Sequence, residues 1–200
     1  MRSGKTAAVL VFGLLVLLTS GVAVGEEWPI WSNFVVDEAG VVPAGDEKMI
    51  NHFLKEFQKQ TTAQMAVYTT QTLRNRGDPA MFATELGQKW GVGDKKKDNG
   101  ITVLIVPADR KFFTATGRGV EGVLPDSLVG QLQRDILVPA FKSNQYGPGL
   151  RKYLHQLALR VGEEAGVDTA KYGAMLGVDG GKYVPPKQGK RRGRRGGLGN

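Results

Sequence analysis

Four residues with hard oxygen donors fall where strand-like runs meet loops: Asp98, Asn99, Glu121 and Asp126, with Asp37 at a further junction of the same kind. Carboxylate and amide oxygens, in a chain with no cysteine, suit Ca²⁺ or Mg²⁺ and not zinc. Arg118 shares a loop with Glu121 and Asp126, and its planar guanidinium can grip an anion in two-pronged fashion. An ion held by Asp98, Asn99, Glu121 and Asp126 could in turn hold a phosphate, with Asp126 and Arg118 as the candidate catalytic residues. The plainer reading makes Asp98-Asn99-Gly100 a turn and Asp126 a helix cap after Pro125. The residues alone leave both open.

The loop that carries Arg118 and Glu121 reads Gly117-Arg-Gly-Val-Glu-Gly122, which matches the dinucleotide expression G-x-G-x-x-G. That expression needs a helix and a returning parallel strand after it, with an acid about 20 residues on for the ribose. Here the chain after Pro125 is helical in pattern to the end of the domain, and Glu163 and Glu164 come far too late. A nucleotide is therefore not expected. The glycines read instead as positive-φ residues where the chain leaves a strand for a helix.

Covalent chemistry is poorly supplied. There is no Cys-x₅-Arg, no Asp-x-Asp near a strand end and no Arg-His-Gly. His52 and His155 both sit inside helical patterns and read as surface or boundary residues. Ser127 and Ser143 have no base in local reach.

The elements that must position these groups follow from periodicity. Met49, Ile50, Phe53, Leu54 and Phe57 repeat at helical spacing after Gly45 or Asp46, either of which can cap the helix. Residues 64–70 (QMAVYTT) read as a strand, and Pro79 opens a helix over 79–90. Residues 101–107 (ITVLIVP) are almost wholly apolar, as in a strand buried on both faces. A tight turn at 108–111 sends 112–116 back antiparallel. Loop 117–126 thus returns to the level of Asp98–Gly100, so that Asp98, Asn99, Glu121 and Asp126 can converge. Helices are expected over about 125–137 and 149–166. The order implies an α/β fold, a three-layer α/β/α sandwich around a small mixed sheet, with a right-handed βαβ crossover.

The termini carry the whole of the net charge of +8. Residues 1–25 read as an export signal, with Arg2 and Lys5, the apolar run 7–18, and cleavage expected near Gly25; the alternative is an uncleaved anchor, for which the apolar run is short. Two basic residues belong to that signal and seven to the end of the chain from Lys182 onward. This leaves 18 basic against 19 acidic, so the domain itself is nearly neutral. Residues 26–170 are expected to fold as one domain and 171–200 to form a disordered basic Gly/Pro-rich tail. In an exported protein such a tail suits an anionic membrane surface better than nucleic acid. Lys95-Lys96-Lys97 reads as a solvated loop, or as a rim that draws anions.

VVDEAGVV near 35–42, the strand beginning AQMAVYT, KDNGITVLIVPADRKFFTATGRGVEGVLPD and DILVPAFK together resemble the TPM domain family over about 33–166. That family includes thylakoid-lumen photosystem repair proteins, YgcG-like bacterial proteins and acid-phosphatase-like members. The resemblance implies an α/β/α sandwich at an extracytoplasmic site that supports assembly or maintenance of a membrane or envelope protein complex. It also implies a divalent cation, and a weak metal-assisted acid phosphatase activity on phosphomonoesters as the alternative. Many members continue into a transmembrane helix and a Gly/Ser-rich tail. This chain has only a short basic tail, so direct anchoring there is not expected.

Overall fold

The computed structural model of the chain describes residues 28–73 and 77–184. The expected signal at 1–25 and the basic run from Lys187 lie outside the described residues. The sheet has four strands in the order β1 (Val35–Asp37), β2 (Gln64–Thr69), β3 (Gly100–Val106) and β4 (Lys111–Thr116). The first three are parallel, and β4 runs antiparallel to β3 with Thr116 opposite Ile101. Three of these strands match the sequence reading. β1 does not appear in it, because three residues are too few to show a period of two.

Alternation along β3 divides the molecule into its layers. Ile101, Val103 and Ile105 face the larger core, with Phe53, Phe57, Leu154 and Leu157 from α1 (Ala44–Thr61) and α6 (Tyr146–Glu164). Leu104 and Val106 face the other side, with Phe82 and Leu86 from α2 (Pro79–Trp90). Each fully buried Phe or Leu contributes about 1.5–3 kcal/mol relative to exposure, so both layers hold the sheet. The expected α/β sandwich is the observed fold. β1, β2 and β3 are laid down in one direction while α1 and α2 lie on opposite faces, so the two crossovers have opposite hands. That reversal lets only three parallel strands carry helices on both sides.

The smaller layer is completed by the lead-in before β1. Trp28 stacks on Phe82 at 5.3 Å and Trp31 on Trp90 at 5.9 Å, while Trp90 Nε1 donates to the Pro29 carbonyl at 2.7 Å. α2 begins as its sequence demands: Asp78 accepts from the Ala80 and Met81 N–H groups and Pro79 takes the first turn. α1 begins earlier than expected, with Pro43 as its uncapped N-cap, so Asp46 falls within the first turn. There it forms an ion pair with Arg151 at 2.7 Å.

After β4 come α3 (Arg118–Glu121), α4 (Asp126–Leu132), a π-helical segment at Gln133–Leu137 and α5 (Val138–Lys142). The widening precedes Pro139, which has no N–H to return to residue 135 and whose ring would crowd that carbonyl. α7 (Tyr172–Leu176) corrects the tail boundary. Tyr172 is edge-on to Phe53 at 5.3 Å, and both Tyr172 and Leu176 are buried. The fold continues through this helix, and Gln156 then fixes Gly181 and Tyr183 by hydrogen bonds of 2.8 and 2.6 Å. His155 is also a correction. It is fully buried in α6, whereas His52 is exposed as expected.

Candidate functional site

The loop after β4 is anchored to the segment before β3. The Gly117 N–H donates to the Gly100 carbonyl at 2.8 Å and the Gly119 N–H to the Asp98 carbonyl at 2.8 Å. The Arg118 N–H donates to Asp98 Oδ2 at 3.1 Å. Asp98 itself has φ 48°, a left-handed conformation that aspartate tolerates better than most residues. Its N–H is held by the Asp94 carbonyl at 2.7 Å.

This arrangement replaces the expected reason for the glycines. Gly117 and Gly119 do not have positive φ. They are needed for close approach: a Cβ on Gly117 would lie 2.2 Å from the Asp98 carbonyl oxygen, and one on Gly119 would lie 1.9 Å from that of Lys97. Gly122 has φ −59° and nothing within 4 Å of an added Cβ. The pattern that matches a nucleotide fingerprint is two contact glycines and one unconstrained glycine.

A cleft of about 510 Å³ opens between the carboxyl end of α2, the amino end of β3 and the α3 loop. Asp94, Lys95, Asp98, Arg118 and Glu121 line it. Asp94 Oδ1 accepts from the Lys96 and Lys97 N–H groups at 2.8 and 3.0 Å. The Lys97 bond first, and the Lys96 bond second, hold its carboxyl below the usual range by stabilising the charged form. Asp94 is not among the residues that sequence reasoning assigns to the site, although a Gly-Asp before a lysine run is a recognisable side-chain-capped turn. Of the three lysines only Lys95 faces the cleft. Lys97 Nζ donates to Thr62 Oγ1 at 2.9 Å.

The four proposed ligands divide. Asp98 and Glu121 share the cleft as expected. Asn99 is buried and committed elsewhere: its Oδ1 accepts from the Asp94 N–H at 2.8 Å and its Nδ2 faces Thr62 Oγ1 at 3.4 Å. Asp126 is the first residue of α4, exposed, and does not line the cleft. Among the described residues no three His, Cys, Asp or Glu side chains approach closely enough to hold a metal ion. Asp37 is structural: it accepts from the Val42 N–H at 2.8 Å, the Val41 N–H at 3.2 Å and the Thr69 hydroxyl.

The donor set in the cleft is nevertheless of one kind. Three carboxylates line it, of which Asp94 is already engaged by two backbone N–H groups, and no sulfur or imidazole does, a set of oxygens that fits a hard cation better than a soft one. Asp98 and Glu121 by themselves fall short of the six to eight oxygens that Ca²⁺ takes. Neither histidine lines the cleft, so Thr84, Thr102 and Thr116 there have no imidazole base.

The model of the TPM domain family matches residues 35–160. The N-terminal domain of a protein from P. gingivalis superposes with a TM-score of 0.62 at 28% identity, over 68% of this chain and 85% of that one. The BA42 protein of Bizionia argentinensis superposes with a TM-score of 0.52 at 19% identity, over 61% and 82%, a likeness of fold alone. Comparison with curated proteins returned no significant match. The family model spans more than half of the chain and covers every strand, the cleft and most of α6. The chain belongs to the TPM domain family.

Proposed function

We propose that the chain is an exported module that supports assembly or maintenance of a membrane or envelope protein complex, and that its α2–α3 cleft takes a divalent cation, Ca²⁺ or Mg²⁺. The observation that carries the reading is that Asp98 and Glu121, twenty-three residues apart, are brought to one cleft by a backbone contact that tolerates no side chain at Gly117 or Gly119. Asp98 would present the oxygen not engaged by the Arg118 N–H, and Glu121 its exposed carboxylate. The export signal at 1–25 and the basic tail, which suits an anionic surface, complete the proposal.

The test is titration of the full chain with Ca²⁺ and then Mg²⁺, followed by amide NMR. Shifts are expected in 94–100 and 117–121, and Asp98→Asn with Glu121→Gln should abolish them. Shifts confined to other segments, or unchanged in that double variant, would overturn the site.

Phosphomonoester hydrolysis is a second reading, favoured by Arg118 on the wall of the same cleft. A phosphate would then be shared between the ion and the guanidinium. Hydrolysis of p-nitrophenyl phosphate should be lost in Arg118→Gln. Activity that survives both Arg118→Gln and Glu121→Gln would sink it. Asp126→Asn should leave the rate unchanged, since that residue lies off the cleft.

A further inference from the structure

A second cavity, of about 500 Å³, lies at the other end of β3, where the chain leaves Val106 and turns into β4. Its rim carries Arg110, Lys111 and Lys142, all exposed, and no acidic residue lines it. None of the three forms an ion pair among the described residues. Asp109, next to Arg110 in sequence, does not line the cavity and is engaged elsewhere: its Oδ2 accepts from the Leu73 N–H at 3.2 Å and the Thr72 hydroxyl at 3.4 Å. The wall is aromatic. Phe141 stacks on Tyr146 at 4.6 Å and meets Phe112 edge-on at 6.1 Å.

Two left-handed non-glycine residues, Arg110 (φ 52°) and Asn144 (φ 56°), also line this cavity. Such conformations cost free energy and cluster where a loop must aim its side chains. Here they stand at the two turns that bound the opening. The cavity also lies at the carboxyl edge of the parallel strands, where α/β sheets commonly take their ligands. It is separate from the α2–α3 cleft, which lies at the amino edge.

The geometry points to this cavity as a receptor for the C-terminus of a partner peptide whose last residue is aromatic or large and aliphatic. A cationic rim without acids needs an anion, and the guanidinium of Arg110 is suited to a carboxylate. The aromatic wall of the same cavity needs an apolar group. A C-terminal residue offers both within one side chain's length, whereas an internal Asp or Glu needs a second residue for the apolar part. The rings argue against a bilayer as occupant: all three are recessed, and the large apolar side chains that stand out, such as Ile30 and Met81, lie elsewhere.

The test is fluorescence anisotropy of the full chain with N-terminally labelled Gly-Ser-Gly-Ser-Phe, as free acid and as C-terminal amide. The same peptide ending in Gly and phosphatidylglycerol vesicles serve as comparisons. The free acid ending in Phe should bind about tenfold more tightly than the amide and than the peptide ending in Gly. Arg110→Gln with Lys142→Gln, both exposed and expected to leave the melting temperature unchanged, should remove that preference. Amide shifts should fall in 105–112 and 138–146. Failure of the free acid to bind, equal affinity for the amide, or shifts elsewhere would overturn the proposal. So would vesicle binding that the double variant abolishes while no peptide binds. None of these outcomes depends on a cation in the other cleft, which Asp98→Asn tests separately.

Discussion

A methyl group placed on Gly119 tests the reason given for the glycine loop. The added Cβ would lie 1.9 Å from the Lys97 carbonyl oxygen and 3.0 Å from that of Asp98. Both obstacles are backbone, so neither can rotate aside. The α3 loop must move by more than 1 Å to reach an ordinary contact distance of about 3.4 Å. That movement breaks the Gly119-to-Asp98 bond at 2.8 Å and the Arg118-to-Asp98 bond at 3.1 Å. Two such bonds contribute about 1 kcal/mol each, and residual overpacking adds at least about 1 kcal/mol. Gly119→Ala should therefore cost about 3 kcal/mol, a fall in melting temperature of about 6–12 °C for a domain of this size. Gly122→Ala is the control. Its φ of −59° and the open space around it should make alanine neutral or stabilising by up to about 1 kcal/mol, through a less flexible unfolded chain. Urea unfolding with an unchanged m-value would measure both. A cost below about 0.5 kcal/mol for Gly119→Ala, or equal effects of the two variants, would refute the close-approach argument.

Asp37→Ala should destabilise by about 3 kcal/mol, because it strands the Val41 and Val42 N–H groups and the buried Thr69 hydroxyl. Asp126→Ala should cost only about 0.5 kcal/mol, the value of a carboxylate in a first helical turn. Similar losses for the two, in urea unfolding, would contradict the roles assigned to them. His155 is fully buried, and burial lowers its pKa below the ordinary 6.5 by penalising the imidazolium. The unfolded chain then takes up this proton first as pH falls. The contribution of His155 to stability is complete above about pH 6.5 and is lost progressively below it. Melting temperatures between pH 7.5 and 5 should show the decline, and His155→Leu should flatten it; an unaltered slope would count against the assignment.

Local pattern is enough for the elements marked by an apolar run or by their own start and turn signals. β3 is buried on both faces and reads as an unbroken apolar run; β2 follows from its β-branched and aromatic residues, β4 from the tight turn before it, and α2 from Pro79 at its start. Where two distant segments must meet, pattern fell short. β1 has three residues and exists because β2 is there to pair with it. α7 lies in a stretch that reads as tail, since a five-residue helix shows little periodicity and gains its stability from Tyr172 against Phe53 and Phe57. His155 reads as a boundary residue because Gln156 and Arg160 beside it are polar, yet α6 is buried on every side from Tyr153 to Gly162, which only the packing reveals.

The candidate site divides along the same line. Residue type and strand direction determined that the loop after β4 would return to Asp98, since an antiparallel turn leaves it nowhere else to go. They could not determine which way each side chain would point. Asn99 and Asp98 are adjacent, yet one amide is buried against Thr62 while the other residue's carboxylate borders a cleft, because the left-handed turn at Asp98 separates them. Asp126 lies near in sequence and off the cleft in space, since α3 and the bend at Gly122–Pro125 carry it past. The second cavity depends wholly on tertiary structure. Arg110 and Lys142 are thirty-two residues apart in unrelated turns, and only the packing of Phe141 against Phe112 brings their charges to one rim.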